Sequence, residues 1–311
     1  MSANQSSGQG TGLGTKGYIL LIIAMLGWGT SWPFIKLGLN EIPPWTYRGL
    51  IAPAAATLIF GFILLSRRKF VWPTGQWKVL IVASLLNISG WHVFSAVGLR
   101  ELGAGHGAII AYTMPLWAAN FSVCFLGERL TAARWIGLAI GIAGLGVLLT
   151  GELGVIQSAP VGAMLMIFAA FFWAAGTVVQ KRITWTLPPL QLVGWQLVIG
   201  GLPITITALF IESSQWAPVS GTAVWSTVYV LLVPIMLSWF CWFQVVERVP
   251  VTVSTVSTLS APILGVISSA YVLGEAVGWR EVVSLLLICS ALVLVLSPVR
   301  NSGSPKRFQA G

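Results

Sequence analysis

Asn87 and Trp91 stand four residues apart, which places both on one face of a helix, with Gly90 and His92 alongside. A carboxamide beside an indole can hold the polar head and the apolar ring of one small molecule. Tyr112 and Met114 precede Pro115, and Trp28, Thr30 and Ser31 share another apolar stretch. His92 and His106 are the only residues in the apolar segments of a type that can change charge near neutral pH, so a coupled proton, if there is one, would ride on one of them. The chain contains no Asp, and Glu41, Glu101, Glu128, Glu152, Glu212, Glu247, Glu275 and Glu281 all fall at predicted helix ends. Exchange of a cationic drug for protons commonly needs an acid at mid-membrane, and the sequence supplies none there. A phosphorylated ligand would want deep Arg or Lys. Lys36 and Arg48 are only partly embedded, both toward the outer end. The expected ligand is therefore neutral or zwitterionic.

Catalysis finds little footing. Without Asp there is no aspartyl dyad, no His-Glu-x-x-His run occurs, and Ser89-Gly90 near His92 makes a poor nucleophile–base pair on one helix. No cofactor or metal is expected. Cys124, Cys241 and Cys289 sit in separate spans without metal or redox spacing and read as packing residues.

The elements that must position these groups are membrane helices. Of 311 residues, 8% are charged and 56% hydrophobic, with a mean hydropathy of +0.87. A soluble surface needs roughly 25% charge. Apolar runs at 17–38, 43–66, 76–98, 102–126, 132–150, 159–180, 188–211, 222–246, 250–273 and 279–298 predict ten transmembrane helices of an all-α integral membrane protein. Residues 1–16 and 299–311 read as polar tails, and the first apolar run is too long for a cleaved signal. The net charge of +9 does not point to nucleic acid. With the N-terminus in the cytoplasm, Lys36, Arg48, Arg100 and Arg280 lie on or near the outer side and the other 13 of 17 basic residues lie inside. Both termini are then cytoplasmic.

The chain is also duplicated. Pro115, Gly127 and Glu128 match Pro262, Gly274 and Glu275 at one displacement of 147, and Leu-Gly-Glu occurs in both copies. Trp28, Lys36 and Pro43-Pro44 match Trp173, Lys181 and Pro188-Pro189 at 145. Residues 17–150 form one five-helix repeat and 159–298 the second. Five is odd, so the second repeat is expected to enter the membrane upside down, as in transporters whose site lies between their halves. The Gly-Glu pairs suit helix capping, with Gly ending one helix and Glu near the start of the next.

On this doubled Pro…Leu-Gly-Glu motif, over about residues 17–298, the chain resembles ten-helix drug/metabolite transporters of the EamA type. Its aromatic-rich core is most similar to the bacterial exporters of aromatic amino acids of the YddG kind. The second copy departs from the commoner Gly-Glu-Arg/Pro form, reading Gly274-Glu275-Ala276-Val277. The resemblance implies a secondary transporter exporting neutral amino acids, above all aromatic ones, from a central cavity in the bacterial inner membrane. Other neutral metabolites or drugs are the alternative substrates. Expected at the site are Trp28, Thr30, Asn87, Trp91, His92, Tyr112, Met114, Trp173 and Trp239, with Pro33, Pro115 and Pro262 as hinges. Many of the 16 Trp lie near span ends and suit interfacial belts instead. Helices five and ten lack deep polar residues and are placed at the periphery, as candidates for a homodimer contact.

Overall fold

A computed structural model describes residues 15–126, 132–150, 160–245 and 260–296, which are helical with no strand among them. The helices are α1 (Thr15–Gly29), α2 (Ser31–Glu41), α3 (Pro44–Leu65), α4 (Trp77–Ser84), α5 (Trp91–Glu101), α6 (Ala104–Ala111), α7 (Met114–Leu126) and α8 (Ala132–Thr150). They continue as α9 (Pro160–Lys181), α10 (Pro189–Ile211), α11 (Gly221–Val230), α12 (Ser238–Val245), α13 (Ser260–Leu273) and α14 (Trp279–Leu296). Among the described residues six stretches are long and apolar enough to cross a membrane: Thr15–Glu41, Pro44–Leu65, Trp77–Glu101, Pro160–Gln180, Pro189–Ile211 and Gly221–Trp242. The Gly127-Glu128 pair lies outside the described residues.

Several of these stretches are interrupted near mid-length. α1 gives way to α2 at Thr30, three residues before the buried Pro33. A two-residue turn, Tyr112-Thr113, separates α6 from α7 just before Pro115. A π-helical segment, Leu85–Gly90, joins α4 to α5, and another, Leu231–Leu237, joins α11 to α12 around Pro234. Proline removes an i→i−4 bond and crowds the preceding turn, which accounts for a break at such points. Pro53 and Pro203 break nothing: each lies inside a continuous helix, α3 and α10. Asn87 and Pro234 are one repeat displacement apart, so the two π segments fall at matching places in the two halves.

Small residues let these helices approach. α3 and α10 run side by side, with a Cβ at Gly201 blocked by Ala52 and one at Gly49 by the Thr205 backbone. Thr205 Oγ1 also donates to Gly49 O at 2.9 Å. α8 and α14 pack on each other, where Ser284 Oγ donates to Gly144 O at 2.8 Å. At this contact a Cβ at Gly144 would meet Leu287 and Ile288 of α14.

One end of the bundle is tied by carboxylates. Pro44 opens α3 at its first position, and the next free N–H groups, Trp45 and Thr46, donate to Glu212 at 3.2 and 2.7 Å. Ser220, the N-cap of α11, donates its N–H and hydroxyl to Glu41, both at 2.6 Å. The N–H groups of Ala104 and Gly105 donate to Glu275, and Gly278 N–H to Glu281 at 2.7 Å. Four helix N-termini are capped in this way, which suits the partial positive charge there. The capping expectation changes in one respect. Gly274 takes φ +68, and the turn it allows carries Glu275 across to α6 of the first half. Glu281 instead serves its own helix, α14. Lys36 Nζ completes this end by donating to Leu99 O at 2.8 Å and Arg100 O at 2.6 Å, the last carbonyls of α5. The opposite end is basic, with Arg67, Arg68, Lys69, Lys78 and Arg182 exposed. There Gln76 and Gln191 tie the two halves, bonding Thr184, Thr186, Lys69 and Val71.

Candidate functional site

The interrupted helices surround a cavity of about 410 Å³. Its aromatic wall comes from both halves. α1 gives Trp28, α5 Trp91, the α6–α7 junction Tyr112 and Met114, α9 Trp173, and α12 Trp239. Trp28 and Trp239 meet edge to face with centroids 5.3 Å apart, and the Trp242 centroid stands 5.5 Å from that of Trp28. Trp28 Nε1 donates to Pro234 O at 3.0 Å, which pins α1 to the π segment of the second half.

Polar groups punctuate this wall. Asn87 and His92 come from the first π segment and the start of α5, Arg48 from the second turn of α3, and Gln196, Thr177 and Gln180 from α10 and α9. Five buried polar atoms of the described lining have no hydrogen-bond partner: Trp32 Nε1, Arg48 Nε, Asn87 Oδ1, His92 Nδ1 and Gln196 Nε2. Buried polar atoms are nearly always paired in folded proteins. Gathered on one surface, these atoms are available to a polar ligand group. Among the described residues no carboxylate lines the cavity, and no group of three His, Cys, Asp or Glu could hold a metal. The volume falls within the ~300–1,000 Å³ of small-molecule sites, and the mix of apolar walls with a few convergent polar groups is their usual chemistry.

Of the residues singled out from the sequence, Trp28, Asn87, Trp91, His92, Tyr112, Met114, Trp173 and Trp239 line this cavity. Thr30 does not. Its hydroxyl is engaged with Tyr229 OH at 2.6 Å and with Leu26 O, and its neighbour Ser31 lines the cavity instead. Pro33 and Pro262 are buried in α2 and α13, away from the lining, and Pro115 is the second residue of α7. His106 is also off the cavity, 3.0 Å from Glu281 at the carboxylate end. Sequence reasoning passed over Gln196 and Trp32, and it set Arg48 aside as an end residue. Arg48 nonetheless lines the cavity, buried in the second turn of α3. At the other end the cavity reaches Gln180 and Pro189, in the last turn of α9 and the first of α10.

The comparisons agree with this architecture. A model of the EamA-like transporter family matches the chain twice, over residues 15–150 and 160–297. The "Uncharacterized transporter YvbV" of Bacillus subtilis (strain 168) is 28% identical over 90% of this chain and 92% of its own. The "Uncharacterized inner membrane transporter YedA" of Escherichia coli (strain K12) is 26% identical over 86% of both chains. A "Probable amino-acid metabolite efflux pump" of Salmonella typhimurium is 26% identical over 89% of this chain and 93% of its own. A crystal structure 21% identical to this chain superposes with a TM-score of 0.65 over 90% of this chain and 96% of that one, and so shares the fold. With that model matched across both halves, this multi-pass membrane chain belongs to the EamA-like transporter family.

Proposed function

We propose that this membrane transporter exports neutral amino acids, preferentially aromatic ones, by alternating access around the aromatic cavity. The observation that carries the reading is the convergence of indole, phenol and unpartnered polar groups from both halves on one space that no carboxylate of the described residues lines. Indoles and Tyr112 suit a planar apolar side chain. The unpartnered polar atoms suit the head group. Relatives in Salmonella typhimurium and Escherichia coli (strain K12) bear the name "Probable amino-acid metabolite efflux pump", which supports the substrate class. Other neutral metabolites remain the alternative, since an aromatic wall also takes planar drugs.

The proposed frame is ten helices in two inverted repeats, with both termini cytoplasmic, in a bacterial inner membrane. Hydrogen bonds support the inversion. The end of α2 meets the start of α11 at the carboxylate end, through Glu41 and Ser220. The chain just after α9, at Thr184, meets Gln76 at the basic end. The first helices of the two halves, α1–α2 and α9, thus finish at opposite ends of the bundle. The basic end suits the cytoplasm. In this reading the carboxylate caps hold the outer side shut while the cavity leads inward past Gln180.

Trp173→Ala tests the site. Its loss should cut aromatic amino-acid flux in proteoliposomes about tenfold, as expected for a stripped aromatic contact of ~1.5 kcal/mol. Melting of the purified variant should stay close to wild type. Unchanged kinetics would remove Trp173 from the site.

A further inference from the structure

We propose that Arg48 is the carboxylate-binding group of the cavity, so that transported molecules must present an anionic head at its outer end. This deepens the amino-acid reading and rests on it.

Of the basic residues toward that end, Lys36 and Arg48 are the partly embedded pair, and they are used differently. Lys36 spends its ammonium on the carbonyls of Leu99 and Arg100. Arg48 is 4% exposed and lines the cavity, yet it makes one long side-chain bond, from Nη2 to Ser95 Oγ at 3.3 Å. That hydroxyl itself donates to His92 O at 3.3 Å. Arg48 Nε has no partner at all. The Tyr47 ring, with its centroid 5.6 Å from Arg48 Cζ, offers a face but no charge.

A buried guanidinium is costly unless an anion answers it. None of the nearby acids does so. Glu212 caps the same helix, but its oxygens take the Trp45 and Thr46 groups. Glu41, Glu275 and Glu281 are likewise bound to backbone N–H groups. Among the described residues Arg48 forms no ion pair. Its counter-ion is therefore brought by the ligand. A carboxylate matches the planar fork of a guanidinium, and Arg holds its charge at any relevant pH. An ionisable side chain inside a membrane span with no opposite charge beside it is by default a candidate functional group. A substrate ammonium would rest on neutral acceptors, of which Asn87 Oδ1 is buried and free.

The test is equilibrium binding to the purified full chain, using L-phenylalanine, L-phenylalaninamide and 3-phenylpropionate. Wild type is expected to bind phenylalanine at least about tenfold more tightly than its amide. Arg48→Gln should erase that preference by weakening the acid and sparing the amide, and Arg48→Lys should restore part of it. Equal binding of phenylalanine and the amide to wild type would overturn the role of Arg48 while leaving the amino-acid reading intact. That comparison does not depend on the variants folding. Arg48-dependent binding of phenylpropionate without binding of phenylalanine would uphold the carboxylate site and sink the amino-acid reading. Failure of every probe to bind would overturn both.

Discussion

Glu212→Ala is expected to lower the stability of the folded chain by about 3 kcal/mol, because hydrogen bonds to a charged group contribute ~1.5–3 kcal/mol each and are only partly additive. Glu212 is buried and accepts from Trp45 N, Thr46 N and Thr46 Oγ1. Alanine would leave the first turn of α3 with donors facing an apolar neighbourhood, on the helix that carries Arg48. Thermal melting in detergent reads the loss, and Glu212→Gln should recover part of it through its one remaining acceptor. Substrate affinity of the folded fraction should hold, since Glu212 does not line the cavity. A melting temperature equal to wild type would show that the cap contributes little.

Gly176→Val is expected to cut flux at least tenfold, and here the effect is on function rather than folding. A Cβ at Gly176 would stand where the Asn87 carboxamide lies. That carboxamide sits on a short side chain, so the new atoms push it into the cavity and take the space of a ligand head group. Gly146→Ala is the matched control, because no atom lies within 4 Å of its added Cβ. Flux that Gly176→Val leaves at the wild-type rate would mean that Asn87 plays no part in recognition.

Much of this arrangement is legible in the residues themselves. Spans follow from hydropathy, and the repeat from paired landmarks such as Pro43-Pro44 and Pro188-Pro189, each pair starting a helix with Pro at its first position. Eight residues of the expected site line one cavity because deep aromatics in a chain so poor in charge have few polar places to face. Thr30 shows where this reasoning stops: a hydroxyl one residue from the lining found a partner in Tyr229, 199 residues away. Arg48 shows the same limit in the other direction. Counting from the helix start places it near the membrane surface, yet it is buried and lines the cavity. Glu275 was readable as a cap, but its partner on α6 was not, since a φ of +68 at Gly274 redirects it. The π segments leave no periodic signal, though Pro234 marks one of them.

The most direct test of the account is flux into proteoliposomes of the purified chain, with labelled tryptophan, phenylalanine, threonine and a cationic dye, each with and without a pH gradient. The account predicts saturable uptake of the amino acids, fastest for the aromatic ones, and no uptake of the dye. Dye flux that requires the gradient, without amino-acid flux, would contradict it and would mean that a cavity without a carboxylate still performs drug/proton exchange.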